Sequence, residues 1–204
     1  MHWLVGGECS GVIRDALIAL GHDAMSCDLQ PTDAPGPHYQ GDLFDVIDYP
    51  WDGAIFHPEC THIAVSGSRH FDAKRMDGRQ QAAVSFFMRV ERRSAHIPRV
   101  AIENPVCIMS SLYRKPDQII QPWYFGDDAS KKTCLWLKGL PPLKYTNVLP
   151  GDHMTRRANQ TASGQNKLGP SADRAKLRSI TYPGIAKAMA SQWAGVYVDI
   201  EDLL

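Results

Sequence analysis

The 204-residue sequence has no apolar run near the length of a bilayer span: stretches such as Ala16-Leu17-Ile18-Ala19-Leu20 stop far short of about 20 residues. It has no net charge, with 22 Lys/Arg against 22 Asp/Glu, so no overall field marks it as a general polyanion binder. Its five cysteines are odd in number and lack framework spacing, which reads as free thiols in a reducing cytosol. Met1-His2-Trp3-Leu4-Val5-Gly6-Gly7-Glu8 has no basic region before its apolar residues and meets an acid at once, so neither a secretory signal nor a membrane partner is expected, and a cytoplasmic location is. There is no internal repeat, no Gly-x-Gly-x-x-Gly fingerprint and no P-loop lysine.

What is present is a charge split along the chain. Residues 1–60 hold ten Asp/Glu and one Lys/Arg, whereas residues 61–178 hold twenty Lys/Arg and nine Asp/Glu. A chain polarised in this way can fold with one acidic and one basic face, and a basic face can sit on phosphates.

Short apolar segments alternate with helical periodicity. His2–Gly6 reads as a buried strand, followed by a helix with Val12, Ile13, Ala16, Leu17 and Leu20 at helical spacing and Gly21 at its end. Further strands are expected at 23–28, 38–40, 51–56 and 99–103, the last broken by Asn104-Pro105, with a long helix from about Lys74 to Ser94. A strand at 133–137, a basic loop-rich insertion at 144–178 and a final helix from Gly184 to Trp193 complete the pattern. Strands alternating with helices imply an α/β fold, a mostly parallel sheet with helices on both faces, binding ligands at the carboxyl ends of its strands.

The polar clusters fall at those ends. Gly6-Gly7-Glu8-Cys9-Ser10-Gly11 joins a strand to a helix with small residues that let a ligand approach the backbone. Asp28 follows the second strand, where an acid can accept both hydroxyls of a ribose, and Asp42 follows the third, where one can meet an adenine amino group. His57-Pro58-Glu59-Cys60-Thr61-His62 sets a thiol at a strand tip after a rigid proline, a position suited to a nucleophile. His57, Cys60 and His62 are also possible metal ligands, but the spacing is compressed and no second pair lies nearby, so no metal is expected. Glu103 ends the neighbouring strand, where a carboxyl can protonate or hold a ring nitrogen.

In their order these motifs resemble the DNA cytosine-5 methyltransferases, and most closely their short phage-encoded members, over most of the chain. Glu8–Ala16 is similar to the family's opening cofactor loop, and Asp28 and Asp42 match its ribose- and adenine-side acids. Pro58-Glu59-Cys60 is similar to the Pro-Cys or Pro-Pro-Cys nucleophile motif, and Ile102-Glu103-Asn104 to the Glu-Asn-Val motif. Lys131-Lys132-Thr133-Cys134-Leu135-Trp136 stands where an Arg-bearing strand follows, and Arg178-Ser179-Ile180-Thr181 resembles the late Arg-x-Leu-Thr motif. Glu59 replaces a Pro or small residue, Thr61 the usual Gln and Pro105 the usual Val, and the chain has no room for a separate target-recognition domain.

The resemblance implies a Rossmann-like class I methyltransferase fold, as one domain over residues 1–204, with S-adenosyl-L-methionine held by Glu8, Cys9, Ser10, Gly11, Asp28, Asp42 and Pro58. It implies that Cys60 attacks carbon 6 of cytosine while Glu103 engages nitrogen 3. Duplex or single-stranded DNA would be met by Thr61, Asn104, Lys131, Lys132, Arg156, Arg157 and Arg178. The sequence does not indicate an oligomeric state. Three other readings stay open: transfer to another base by an amino-methyltransferase, modification of a free nucleotide, and a relative that binds nucleic acid without catalysis.

Overall fold

The computed structural model describes residues 1–195. Its elements run β1 (His2–Gly6), α1 (Val12–Ile18), β2 (Asp23–Asp28), β3 (His38–Gln40), β4 (Gly53–Phe56), α2 (Phe71–Met76), α3 (Arg79–Arg93), β5 (Arg99–Pro105), α4 (Met109–Leu112), β6 (Gln118–Ile120), β7 (Thr133–Lys138), α5 (Arg174–Ser179) and α6 (Pro183–Met189). The strands form one sheet in the order β3-β2-β1-β4-β5-β7-β6. The pairs from β3 to β5 are parallel, and only β7 runs antiparallel to its neighbours β5 and β6. This is the Rossmann-like α/β fold expected from the sequence. The chain leaves β1 toward β2 on one side and returns to β4 on the other, so a crevice opens at their carboxyl ends.

Period-two alternation divides the core between the two faces. Leu4, Ala54, Phe56, Val100, Ile102, Cys134 and Trp136 pack with Phe87 and Val90 of α3. Trp3, Val5, Ile55, Ala101 and Leu135 pack on the other face with Ile13 and Leu17 of α1 and Ile185 and Met189 of α6. Phe87 meets Trp136 edge-to-face with ring centroids 5.2 Å apart, worth about 1 kcal/mol beyond the area it buries. Because Glu103 shares strand parity with Ala101, its side chain belongs to the face covered by α6, whereas Asn104 shares parity with Ile102.

The structure corrects three local expectations. The helix expected from Lys74 to Ser94 is two helices, because Gly78 adopts a φ of 80° between α2 and α3. β5 is not broken at Asn104-Pro105: both residues keep pairing with β7, Pro105 opposite Thr133, at a strand end where the missing N–H of proline costs little. The final α-helix ends at Met189 and widens into one π turn over Ala190–Ala194. β6 and α4 were not anticipated, since three or four residues are too few to show a period.

Candidate functional site

The turn from β1 to α1 is built on close packing. A Cβ on Gly7, whose φ is 76°, would lie 2.4 Å from the His57 carbonyl oxygen, so only glycine lets the first loop sit against the end of β4. Glu8 is 5% exposed, and its carboxylate accepts from the backbone N–H groups of Ile13 (2.8 Å) and Arg14 (3.2 Å). The positive end of α1 is thereby capped by the protein's own anion. Ser10 Oγ donates to the same carboxylate at 3.4 Å. Cys9 is buried, and its thiol is pushed up by burial and by the nearby Asp28 and Asp33 carboxylates.

Arg14, fully buried, fixes the loop that follows β2. Its guanidinium donates to Ser26 Oγ, Thr32 Oγ1, the carbonyls of Ala34 and Pro35, and Asp15. Gly11 and Gly36 lie flat against it, where a Cβ would come within 2.3 and 2.7 Å of guanidinium atoms. Sequence reading missed Arg14, although a charged residue between Ile13 and Leu17 on a buried helix face was the available signal. At the ends of β2 and after β3, Asp28 accepts from Gln30 N–H and Asp42 from Phe44 N–H, both at 2.9 Å. Each carboxylate closes its own turn and keeps oxygen lone pairs for a ligand.

At the end of β4, Glu59 is exposed and its carboxylate accepts from Thr61 N–H at 2.7 Å, which folds the segment into a tight turn. Thr61 is exposed, and its carbonyl accepts from the buried Lys74 ammonium at 2.6 Å. Cys60, half-buried in this turn, has its thiol pushed up to about 11 by burial and by the Glu103 and Glu59 carboxylates, against an opposing pull from Lys131. Pro58 is buried, and its carbonyl accepts from Asn104 Nδ2 at 2.8 Å, joining the ends of β4 and β5. Asn104 Oδ1 is buried without a hydrogen-bond partner among the described residues.

Glu103 accepts a 2.6 Å hydrogen bond from His57 Nδ1, between side chains only 10% and 12% exposed. Burial alone would raise the carboxyl. The hydrogen bond from His57 and the charge of Lys131 outweigh it, with help from Thr133, and hold Glu103 at about 2. His57 was weighed in the sequence only as a metal ligand. Its partnership with Glu103 depends on the register of β4 against β5, which the sequence does not display.

Two adjoining hollows lie along this edge. One is lined by Gly7, Glu8, Cys9, Ser10, His57 and the strap Ser179–Thr181. The other is lined by Glu103, Lys131, Thr133, Thr181, Tyr182, Ile185 and Met189. Thr181 borders both. The strap that follows α5 is anchored near the first hollow by an ion pair of Lys176 with Asp33 at 2.5 Å.

Lys132, Arg156 and Arg178 are exposed, and Lys131 is half-buried with its ammonium 3.5 Å from the Ile180 carbonyl. Arg157 does not join that outward basic set. It is 5% exposed, stacked on Trp123 at 4.5 Å and bonded to the Pro150 carbonyl, because the insertion folds back on residues 121–131. Asn159 makes the same connection through Ser130 and the Tyr182 hydroxyl. No group of three or more His, Cys, Asp or Glu suited to a metal ion occurs among the described residues, and no helix there is long and apolar enough to cross a membrane.

No family model matches the chain. No curated protein matches it either. Among solved structures it is similar to a prophage-encoded E. coli protein described, provisionally, as a DNA modification methyltransferase, with 13% identity and a TM-score of 0.46. The alignment covers 67% of this chain and 46% of that protein, so the chain spans less than half of its length. At that similarity the likeness bears on neither substrate nor residue roles.

Proposed function

We propose that this chain is a single-domain S-adenosylmethionine-dependent methyltransferase acting on DNA, and that it methylates carbon 5 of cytosine through Cys60 and Glu103. The observation that carries the reading is the meeting of a thiol and a buried carboxylate at the ends of the paired strands β4 and β5. Beside them lies a strand-end loop with nucleoside-type acids.

The residues fit the cofactor better than they fit a nucleotide. A pyrophosphate at this position would need the helix N-terminus, which the Glu8 carboxylate already occupies. That buried anion favours a ligand bearing positive charge, as the ammonium and sulfonium of S-adenosylmethionine do. Asp28 and Asp42 would hold the ribose and adenine ends, with Cys9, Ser10, Gly11 and Pro58 around them. When bound, the cofactor supplies an electrophilic methyl group.

The protein's own groups would do the rest. Cys60 Sγ bonds to carbon 6 as its thiol proton is taken up by Glu103 and handed on to nitrogen 3, which leaves Glu103 the anion it is at rest. Neutralising Glu103 also removes one of the charges that hold the thiol up. After carbon 5 is methylated its proton leaves to solvent, the Cys60–carbon bond breaks, nitrogen 3 returns its proton through Glu103 to the released thiolate, and the aromatic ring is restored. Extruding the base costs a few kcal/mol, and phosphate contacts from Lys132, Arg156 and Arg178 would offset it, with Thr61, Asn104 and Lys131 nearer the base.

The test is transfer from tritiated S-adenosylmethionine to mixed-sequence DNA, read after nucleoside digestion. Label in 5-methylcytosine, its loss in Cys60→Ser, and a covalent adduct with 5-fluorocytosine DNA are the expected results. Full turnover by Cys60→Ser would remove the covalent mechanism. The elevated thiol with Glu59 beside it favours one second reading, a relative that binds nucleic acid without turnover. DNA affinity with no label in any base would select that reading.

A further inference from the structure

His57 has no part in the scheme above, yet it stands between the two hollows. Its Nδ1 lies 2.6 Å from Glu103, which lines the second hollow, while the ring itself lines the first, with Gly7, Glu8, Cys9 and Ser10. Nε2, on the side of the ring away from Glu103, is buried and has no hydrogen-bond partner among the described residues. Leaving a buried polar atom unpaired is costly, and such an atom at a cleft wall is explained when a ligand supplies the partner.

The tautomer follows from the geometry. Glu103 is an anion in the resting site, so the imidazole must donate from Nδ1. Nε2 is then the nitrogen left for a ligand, and as the acceptor of a neutral imidazole it calls for a donor. S-Adenosylmethionine carries such donors in its ammonium and ribose hydroxyl groups.

Resting on the reading of this edge as a cofactor site, we infer that His57 is a cofactor-binding residue, accepting at Nε2 a hydrogen bond from an N–H or O–H of the bound adenosyl amino acid, and is also the positioning residue for Glu103. One imidazole then joins the two halves of the site. A donor at Nε2 polarises the ring, strengthens the Nδ1–H bond to Glu103 and orients the carboxylate before substrate arrives. By linkage, whatever strengthens the bond to Glu103 also tightens the cofactor.

The two ring nitrogens can be separated by substitution. His57→Asn keeps a donor near Nδ1 and removes the acceptor at Nε2, whereas His57→Gln keeps an acceptor near Nε2. Calorimetric titration with S-adenosylhomocysteine, which retains the ammonium and ribose groups, reads the difference without turnover. The expected result is affinity weakened on the order of ten-fold in His57→Asn and within about two-fold of wild type in His57→Gln. Equal affinity in wild type and His57→Asn overturns the inference, and so does an equal loss in both variants, which marks a merely structural role.

A nitrogen-15 spectrum of the wild-type imidazole guards against variants that fail to fold. Nε2 of His57 should move from an unbonded to a hydrogen-bonded acceptor shift when S-adenosylhomocysteine is added. Ligand binding that leaves that resonance unmoved overturns the inference while sparing the cofactor reading. Absence of binding to wild type removes both together.

Discussion

Acidification of the protein should reveal Glu103 as a stabilising anion, and Glu103→Gln should abolish that part of the pH dependence. The folded carboxyl sits at about 2 against 4.5 for the unperturbed group. A depressed folded pKa means that the stabilisation is fully present above the unfolded value and is lost as pH falls toward the folded one. A gap of this size corresponds to about 3 kcal/mol in total, of which about 2 kcal/mol is gone by pH 3. The side chain is only 10% exposed, so solvent screening does not erode the effect. Urea midpoints measured from pH 7 to pH 3 for wild type and Glu103→Gln provide the comparison. Wild type should begin more stable and converge on the variant below pH 5, because the exposed Asp48, Asp77 and Asp152 titrate alike in both proteins. Parallel curves for the two proteins would refute the claim that His57 and Lys131 outweigh the burial of Glu103.

Other substitutions test the frame around the site. Arg14→Met should cost about 3–5 kcal/mol in equilibrium unfolding, since it leaves two carbonyls and two hydroxyls of a buried network without their donor; a change under about 1 kcal/mol would show that the loop after β2 is held by other contacts. Gly7→Ala should lower the unfolding free energy by about 2 kcal/mol or more, and with it the midpoint, combining a φ of 76° with a contact of 2.4 Å to the His57 carbonyl. An unchanged midpoint there would show that the backbone shifts freely. Glu59→Gln should speed alkylation of Cys60 by iodoacetamide at pH 8, because it removes a carboxylate that raises the thiol. Identical rates would leave burial and Glu103 as the main brakes on the nucleophile.

Strands were legible wherever a run of apolar residues ended at a polar cluster, as at Val5-Gly6 and Phe56-His57, because burial on both faces writes a continuous apolar signal. β6 left no such trace. Three residues paired only to β7 depend on tertiary contacts rather than on a period. Gly78 escaped notice for the opposite reason: apolar residues continue at helical spacing on both sides of it, and only its left-handed backbone shows that the helix is two.

The site divides in the same way. The positions of Cys60 and Glu103 were readable because each falls in a polar cluster at the end of an apolar run, and the neighbouring placement of β4 and β5 follows from the alternating pattern. His57, Arg14 and Arg157 were not, since each takes its meaning from a partner far along the chain: Glu103, the carbonyls of residues 34 and 35, and Trp123. All three carry polar nitrogen into buried surroundings, where the cost of desolvation must be met by specific partners. For Arg14 those partners are all present, and the residue is structural. For His57 one nitrogen is satisfied and the other is buried beside the cleft without a partner among the described residues. Arg157 also keeps Nε and Nη2 buried without a partner among the described residues, but it lines neither hollow, so it is the place at the cleft wall that singles out His57.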